Sequence, residues 1–148
     1  MEHDLMRWNN MKKTVRDNIQ TAYSLHDMNV IAFEVSGNDV TMRTQSGVVK
    51  TTPPYKQVDG FVEFHDLDWN FSFVYLMGGY GNVGKFTGEK LYFKDFIERF
   101  PSFGFEVIDE VFGYNQTKLW GFLSANREVY DCVIELYHLG DMVYVAEE

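Results

Sequence analysis

Residues 105–146 read FEVIDEVFGYNQTKLWGFLSANREVYDCVIELYHLGDMVYVA, four alternating apolar runs separated by turn residues. The runs are Phe105–Phe112, Lys118–Leu123, Glu128–His138 and Met142–Ala146. Asn115-Gln116, Ala125-Asn126 and Gly140-Asp141 supply the turns. Period-two patterning with Asn, Asp and Gly between runs is the signature of strands and hairpins. Connections this short join antiparallel neighbours, because a parallel crossover needs about a dozen residues or more.

Upstream the pattern repeats. Val30–Val35, Val40–Gln45, Val48–Thr52, Phe61–His65 and Trp69–Leu76 read as strands, with Gly37-Asn38-Asp39, Ser46-Gly47 and Asp66-Leu67-Asp68 as turns. Pro53-Pro54 interrupts regular pairing. Two segments depart from period two. In residues 4–23, Leu5, Trp8, Met11, Val15, Ile19 and Ala22 recur at spacings of three and four, which predicts an amphipathic helix capped by Asp4. Lys12, Lys13 and Arg16 lie off that stripe. A second, short helix is predicted near 92–100, with Tyr92, Phe93, Phe96, Ile97 and Phe100 on one face and Pro101 as its stop. The expected fold class is α+β: a mostly antiparallel curved sheet with both helices packed on it. The length, 148 residues, suits a single globular domain over 1–148.

Charge narrows the function. Thirteen Lys and Arg against 22 Asp and Glu leave −9, the wrong sign for a phosphate backbone, so no nucleic-acid partner is expected. From Glu106 onward nine acids face two bases, Lys118 and Arg127. That asymmetry reads first as solubility for an aromatic-rich domain and, alternatively, as an acidic face for a basic partner; a protein partner is expected. No apolar run approaches the ~20 residues of a membrane span. The chain opens MEHDLMRWNN, without the basic and apolar regions of a signal peptide, and its one cysteine permits no internal disulfide. A cytoplasmic location is expected.

Gly79-Tyr80-Gly81-Asn82-Val83-Gly84-Lys85 fits G-x-G-x-x-G and most of G-x-x-x-x-G-K. Phe86 stands where a Walker loop needs Ser or Thr for Mg²⁺, and Gly88 follows too soon for a helix to start in the loop. No nucleotide or other cofactor is therefore expected. Gly79, Tyr80 and Asn82 remain binding candidates, as part of a long glycine-rich loop carrying an aromatic side chain.

Glu63 and His65 share a strand face, and Asp66 and Asp68 follow at once. The favoured reading is a polar edge strand ending in an Asp turn; the alternative is a group that holds a divalent cation or pairs a base with an orienting acid. The four histidines show no metal-ligand spacing, and no metal site is expected. Cys132 alternates with Tyr130, Ile134 and Leu136, an apolar face that makes it a buried thiol rather than a nucleophile. No catalytic residue is assigned. Trp120, Phe122 and Lys118 share a face that reads as core if a helix covers it, and as interface if it is open.

Three functions follow. The first is a small acidic binding protein without catalysis, inhibitor, immunity or adaptor-like. The second is a small enzyme or ligand-binding protein with an aromatic-lined pocket in the curved sheet. The third is self-association as a homodimer through strand edges.

Overall fold

The computed structural model describes residues 11–17, 21–79 and 88–147. They form thirteen strands in chain order: β1 Met11–Val15, β2 Tyr23–Ser24, β3 Asn29–Ser36, β4 Asp39–Thr44, β5 Val48–Lys50, β6 Gln57–Val58, β7 Gly60–Phe64, β8 Phe73–Gly79, β9 Gly88–Tyr92, β10 Gly104–Gly113, β11 Gln116–Ala125, β12 Glu128–Tyr137 and β13 Met142–Glu147. One α-helix, α1 Phe93–Arg99, and a 3₁₀ turn at Trp69–Phe71 complete the described elements.

Ten strands make one sheet in the order β1-β13-β7-β4-β3-β10-β11-β12-β8-β9, and β2-β5-β6 make a small second sheet. Every strand pairing is antiparallel. The large sheet divides into two five-strand halves joined between β3 and β10, where only Phe105↔Val30 and Glu106↔Asn29 pair. The turn from β12 to β13 also bridges the halves, since the two strands it joins lie in different ones.

Alternation decides which side is the core. Thr117, Leu119, Gly121, Leu123 and Ala125 of β11 are buried, as are Cys132, Ile134 and Leu136 of β12. α1 lays Phe93 and Phe96 on this same side, followed by Phe100, all fully or almost fully buried. Phe93 packs edge-on to Phe33 at 4.9 Å and stacks on Trp69 at 5.8 Å. The small sheet adds Val48, Val58 and Tyr23, whose ring lies 5.3 Å from Tyr144. Each large apolar side chain buried here contributes about 1.5–3 kcal/mol. One core cluster runs from Tyr23 to Ala146. A smaller one, Phe61, Val143 and Val145, lies on the other face of the first half.

A bulge between Val107 and Asp109 resets β10. Before it, Phe105 and Val107 sit opposite inward Leu123 and Gly121; after it, Glu110 and Phe112 sit opposite inward Leu119 and Thr117. The extra residue, Ile108, keeps Phe112 inside, turns Glu110 in and sends Asp109 and Val111 out. Gly121 makes this possible, because a Cβ there would lie 1.8 Å from the Glu106 carbonyl oxygen.

The α+β expectation is overturned. Strands hold 64% of the described residues and helices 8%, so the class is a predominantly antiparallel β fold with one short helix. The N-terminal helix predicted over 4–23 is contradicted where it can be seen: Met11–Val15 is a strand on the edge of the sheet, paired with β13 through Lys13↔Val145 and Val15↔Val143. The error has a simple cause. Met11 and Val15 are four apart, an even spacing that shares a face in a strand as well as in a helix. The β-branched pair Thr14-Val15 and an open ladder on β13 decide for the strand. Residues 4–10 and 18–20 of that prediction lie outside the described residues. No helix among the described residues is long and apolar enough to cross a membrane.

Gly121→Ala is expected to cost about 3 kcal/mol in urea unfolding, because the added methyl meets backbone. Gly37→Ala, at φ +62° with open space around it, should cost only about 1 kcal/mol, from the left-handed backbone. Equal costs would contradict the close β10–β11 approach.

Candidate functional site

With one face of β10-β11-β12-β8-β9 given to the core, the residues between the buried ones form an outer face. The register sets them in rows across the strands. The first row runs Glu106, Phe122, Asp131, Met77, Gly88; the second, Asp109, Trp120, Val133, Tyr75, Lys90; the third, Val111, Lys118, Glu135, Phe73, Tyr92. Gln116 and Tyr137 form a fourth.

This face is open. Trp120 is 39% exposed in the middle of a ten-residue strand, and Tyr92 is 52% exposed. The Trp120 and Phe122 rings are 5.8 Å apart, and those of Phe73 and Tyr92 are 5.3 Å apart. Lys90 places its ammonium 4.0 Å over Phe73 and 5.6 Å from the Tyr75 ring centre. Gln116 donates to the Glu135 carboxylate at 2.7 Å. An open cleft of about 510 Å³ crosses the face between Tyr75, Met77, Lys90, Lys118, Val133 and Glu135. At one end Phe71, 61% exposed, leans on Tyr137 at 6.2 Å. Reading Trp120 and Phe122 as core fails because α1 lies on the opposite side of the sheet.

Of the described residues singled out from sequence, Glu63 and His65 come together, while Asp68 and Gly79 lie apart. Glu63 faces outward on β7, 3.8 Å from both Lys13 Nζ and His65 Nε2. His65 Nδ1 is 3.4 Å from Asp39 Oδ1. Asp39 also accepts the Asp66 N–H, which holds its carboxyl below the ordinary range. Asp66 turns the chain at φ +52°. Asp68 is spent on structure: its side chain accepts the Asn70 N–H and caps the 3₁₀ turn. Gly79 ends β8 opposite Tyr130, whereas the Asp68 N–H bonds the Tyr137 carbonyl. Seven residues of β12 separate those anchors, about 24 Å at ~3.4 Å per residue. Tyr80 and Asn82 lie outside the described residues. Among the described residues no three His, Cys, Asp or Glu side chains are placed to hold a metal ion.

Two inward-turned polar groups, buried His138 and half-buried Glu110, escaped the sequence reading. His138 continues the inward phase of Cys132, Ile134 and Leu136, a signal present in the alternation. Its Nδ1 lies 2.9 Å from the Gly140 carbonyl, which can only accept, so Nδ1 carries the proton and Nε2 accepts from the Thr117 hydroxyl at 2.9 Å. This ties the β12–β13 turn to β11. Burial pulls the His138 pKa below the ordinary 6.5, and nearby Arg16 pulls the same way; the Gly140 bond and Asp141 oppose them. Glu110 accepts the Leu25 N–H and the Ser24 hydroxyl, each at 2.9 Å, which fastens the β2 segment to β10. Burial raises its pKa above 4.5 against those two bonds. Burial alone pushes the Cys132 thiol up to about 12, leaving no nucleophile at neutral pH.

No family model, curated protein or solved structure matches this chain.

The His138 geometry sets a pH dependence. The unfolded imidazole takes its proton near 6.5, while the folded one resists until lower pH. The unfolded state then binds more protons, so stability falls as pH drops below about 6.5. His138→Asn should remove that slope in urea melts and cost about 1–3 kcal/mol at neutral pH, by leaving the Thr117 hydroxyl only the weak Met142 sulfur acceptor at 3.7 Å. Glu110 acts oppositely, favouring the fold as pH falls through its raised pKa, so the comparison is made in a Glu110→Gln background. An unchanged slope in His138→Asn contradicts the assignment.

Proposed function

We propose that the chain is a cytoplasmic binding protein without catalysis, of the inhibitor, immunity or adaptor kind, and that the outer face of β10-β11-β12-β8-β9 receives a protein partner. The observation that carries this reading is Trp120, 39% exposed at the centre of a sheet whose other side holds the core. Trp and Tyr dominate interface hot spots, because they bring large contact area at little conformational cost. Around Trp120 the rows add Phe122, Phe73, Tyr75 and Tyr92, with charged side chains interspersed. Four outward acids, Glu106, Asp109, Asp131 and Glu135, outnumber Lys90 and Lys118, which favours a basic partner.

An aromatic-lined pocket inside the sheet draws less support. The core side is filled by Phe93, Phe96, Phe100, Phe105 and Tyr144, all essentially inaccessible.

Trp120→Ser should weaken capture of the partner about 30-fold, the roughly 2 kcal/mol of a hot spot. Its fold stability should change by no more than about 1 kcal/mol, since nothing in the core contacts the lost ring. Binding by titration calorimetry and stability by urea melts test both halves. Undiminished binding, or no reproducible protein partner for the wild-type chain, would sink the reading.

A further inference from the structure

The chain repeatedly seats cations on its own aromatic rings. Arg16 lies 4.3 Å over Phe112, Lys90 lies 4.0 Å over Phe73, and Arg99 lies 5.3 Å from the Phe100 ring centre. The most complete instance is on the outer face of the first half-sheet. There Arg43 lies 4.2 Å over Phe61, its register partner on β7. Its Nε and Nη2 donate to the two Glu34 oxygens at 2.9 and 3.3 Å. An outward phenylalanine supplies the face, a carboxylate on a nearby strand supplies the fork, and the guanidinium bridges them.

Phe122 has the same two fixed parts, with the carboxylates doubled. It points outward on β11, and the register places Glu106 on one side of it and Asp131 on the other. Directly opposed side chains have Cβ atoms about 4.5–5.5 Å apart. A planar group lying on the Phe122 ring therefore reaches a carboxylate on either flank. The Trp120 ring, 5.8 Å away and tilted 57° to Phe122, forms an apolar side wall against which an alkyl stem can lie. Asp109, opposite Trp120, adds a third negative charge. The lysines of this face are set elsewhere: Lys118 is opposite Glu135, and Lys90 lies over Phe73 and Tyr75.

We infer that the Phe122 corner of the outer face takes an arginine side chain of the protein partner, its guanidinium stacked on Phe122 between Glu106 and Asp131. This rests on the binding-face reading and deepens it. Arginine fits better than lysine, because the slot combines a flat aromatic surface with two flanking acceptors. A guanidinium stacks and forks at once, whereas an ammonium is a strongly hydrated point charge.

The test uses the full chain and titration calorimetry with acetylated nona-arginine and nona-lysine peptides near physiological salt. Nona-arginine should bind about fivefold tighter than nona-lysine, the margin of stacking and bidentate contact. The double variant Glu106→Gln/Asp131→Asn should weaken nona-arginine about tenfold, and Phe122→Leu about fivefold. A control double variant on α1, Asp95→Asn/Glu98→Gln, makes the same charge change and should stay within about twofold, as screened surface charges do. Equal binding of the two peptides, or an equal loss in the α1 control, would overturn the inference in favour of unspecific attraction to an acidic chain. If Trp120→Ser abolishes capture of the protein partner while Glu106→Gln/Asp131→Asn leaves it intact, the face binds but the arginine slot is wrong. If neither variant matters, both readings fall together.

Discussion

Ten strands present two faces, and the described chain holds one seven-residue helix to cover them. The packing of Phe93, Phe96 and Phe100 against β8 and β12 therefore fixes more than local stability. It commits one side of the second half-sheet to the interior, and alternation then commits every intervening residue to the exterior. Trp120, Phe122, Tyr75 and Phe73 face outward because Leu119, Leu123, Val74 and Leu76 are needed inside. The outer face is the geometric complement of the core.

Two internal devices keep that division sharp. The bulge at Ile108 shifts β10 by one residue, so Asp109 stands beside Trp120 and Glu110 turns in to bind the Leu25 N–H and the Ser24 hydroxyl. The His138 bonds to Thr117 and Gly140 tie the β12–β13 turn to β11, where the chain crosses from one half of the sheet to the other. His138 is buried and Glu110 half-buried. Both carry the cost of a buried polar group, and both offset it by hydrogen bonds that join separate strands.

Much of this was legible in the residues. The four C-terminal strands and their turns follow from period-two alternation, and the short helix from its aromatic stripe before Pro101. Other parts were not. Met11 and Val15 sit at a spacing common to strand and helix, and only the pairing with β13 decides between them. Assigning a helix to residues 4–23 gave the sheet a second cover that the described residues do not provide, and that cover favoured reading Trp120 and Phe122 as core. The bulge left no mark in the pattern, so the inward turn of Glu110 could not be read. Asp68 looked like a member of a polar site with His65, yet its carboxylate is consumed by the Asn70 N–H. Spacing brings residues near in sequence; it does not say which polar atoms the backbone has already claimed.

The central claim is that the Trp120 face is open and that α1 covers the opposite one. Hydroxyl-radical footprinting of the free chain, read residue by residue by mass spectrometry, tests it most directly. Trp120 and Tyr92 should be modified rapidly, and Phe93, Phe96 and Phe105 protected. Protection of Trp120 to the level of those phenylalanines would contradict it, because the outer face would then be covered and unable to receive a partner.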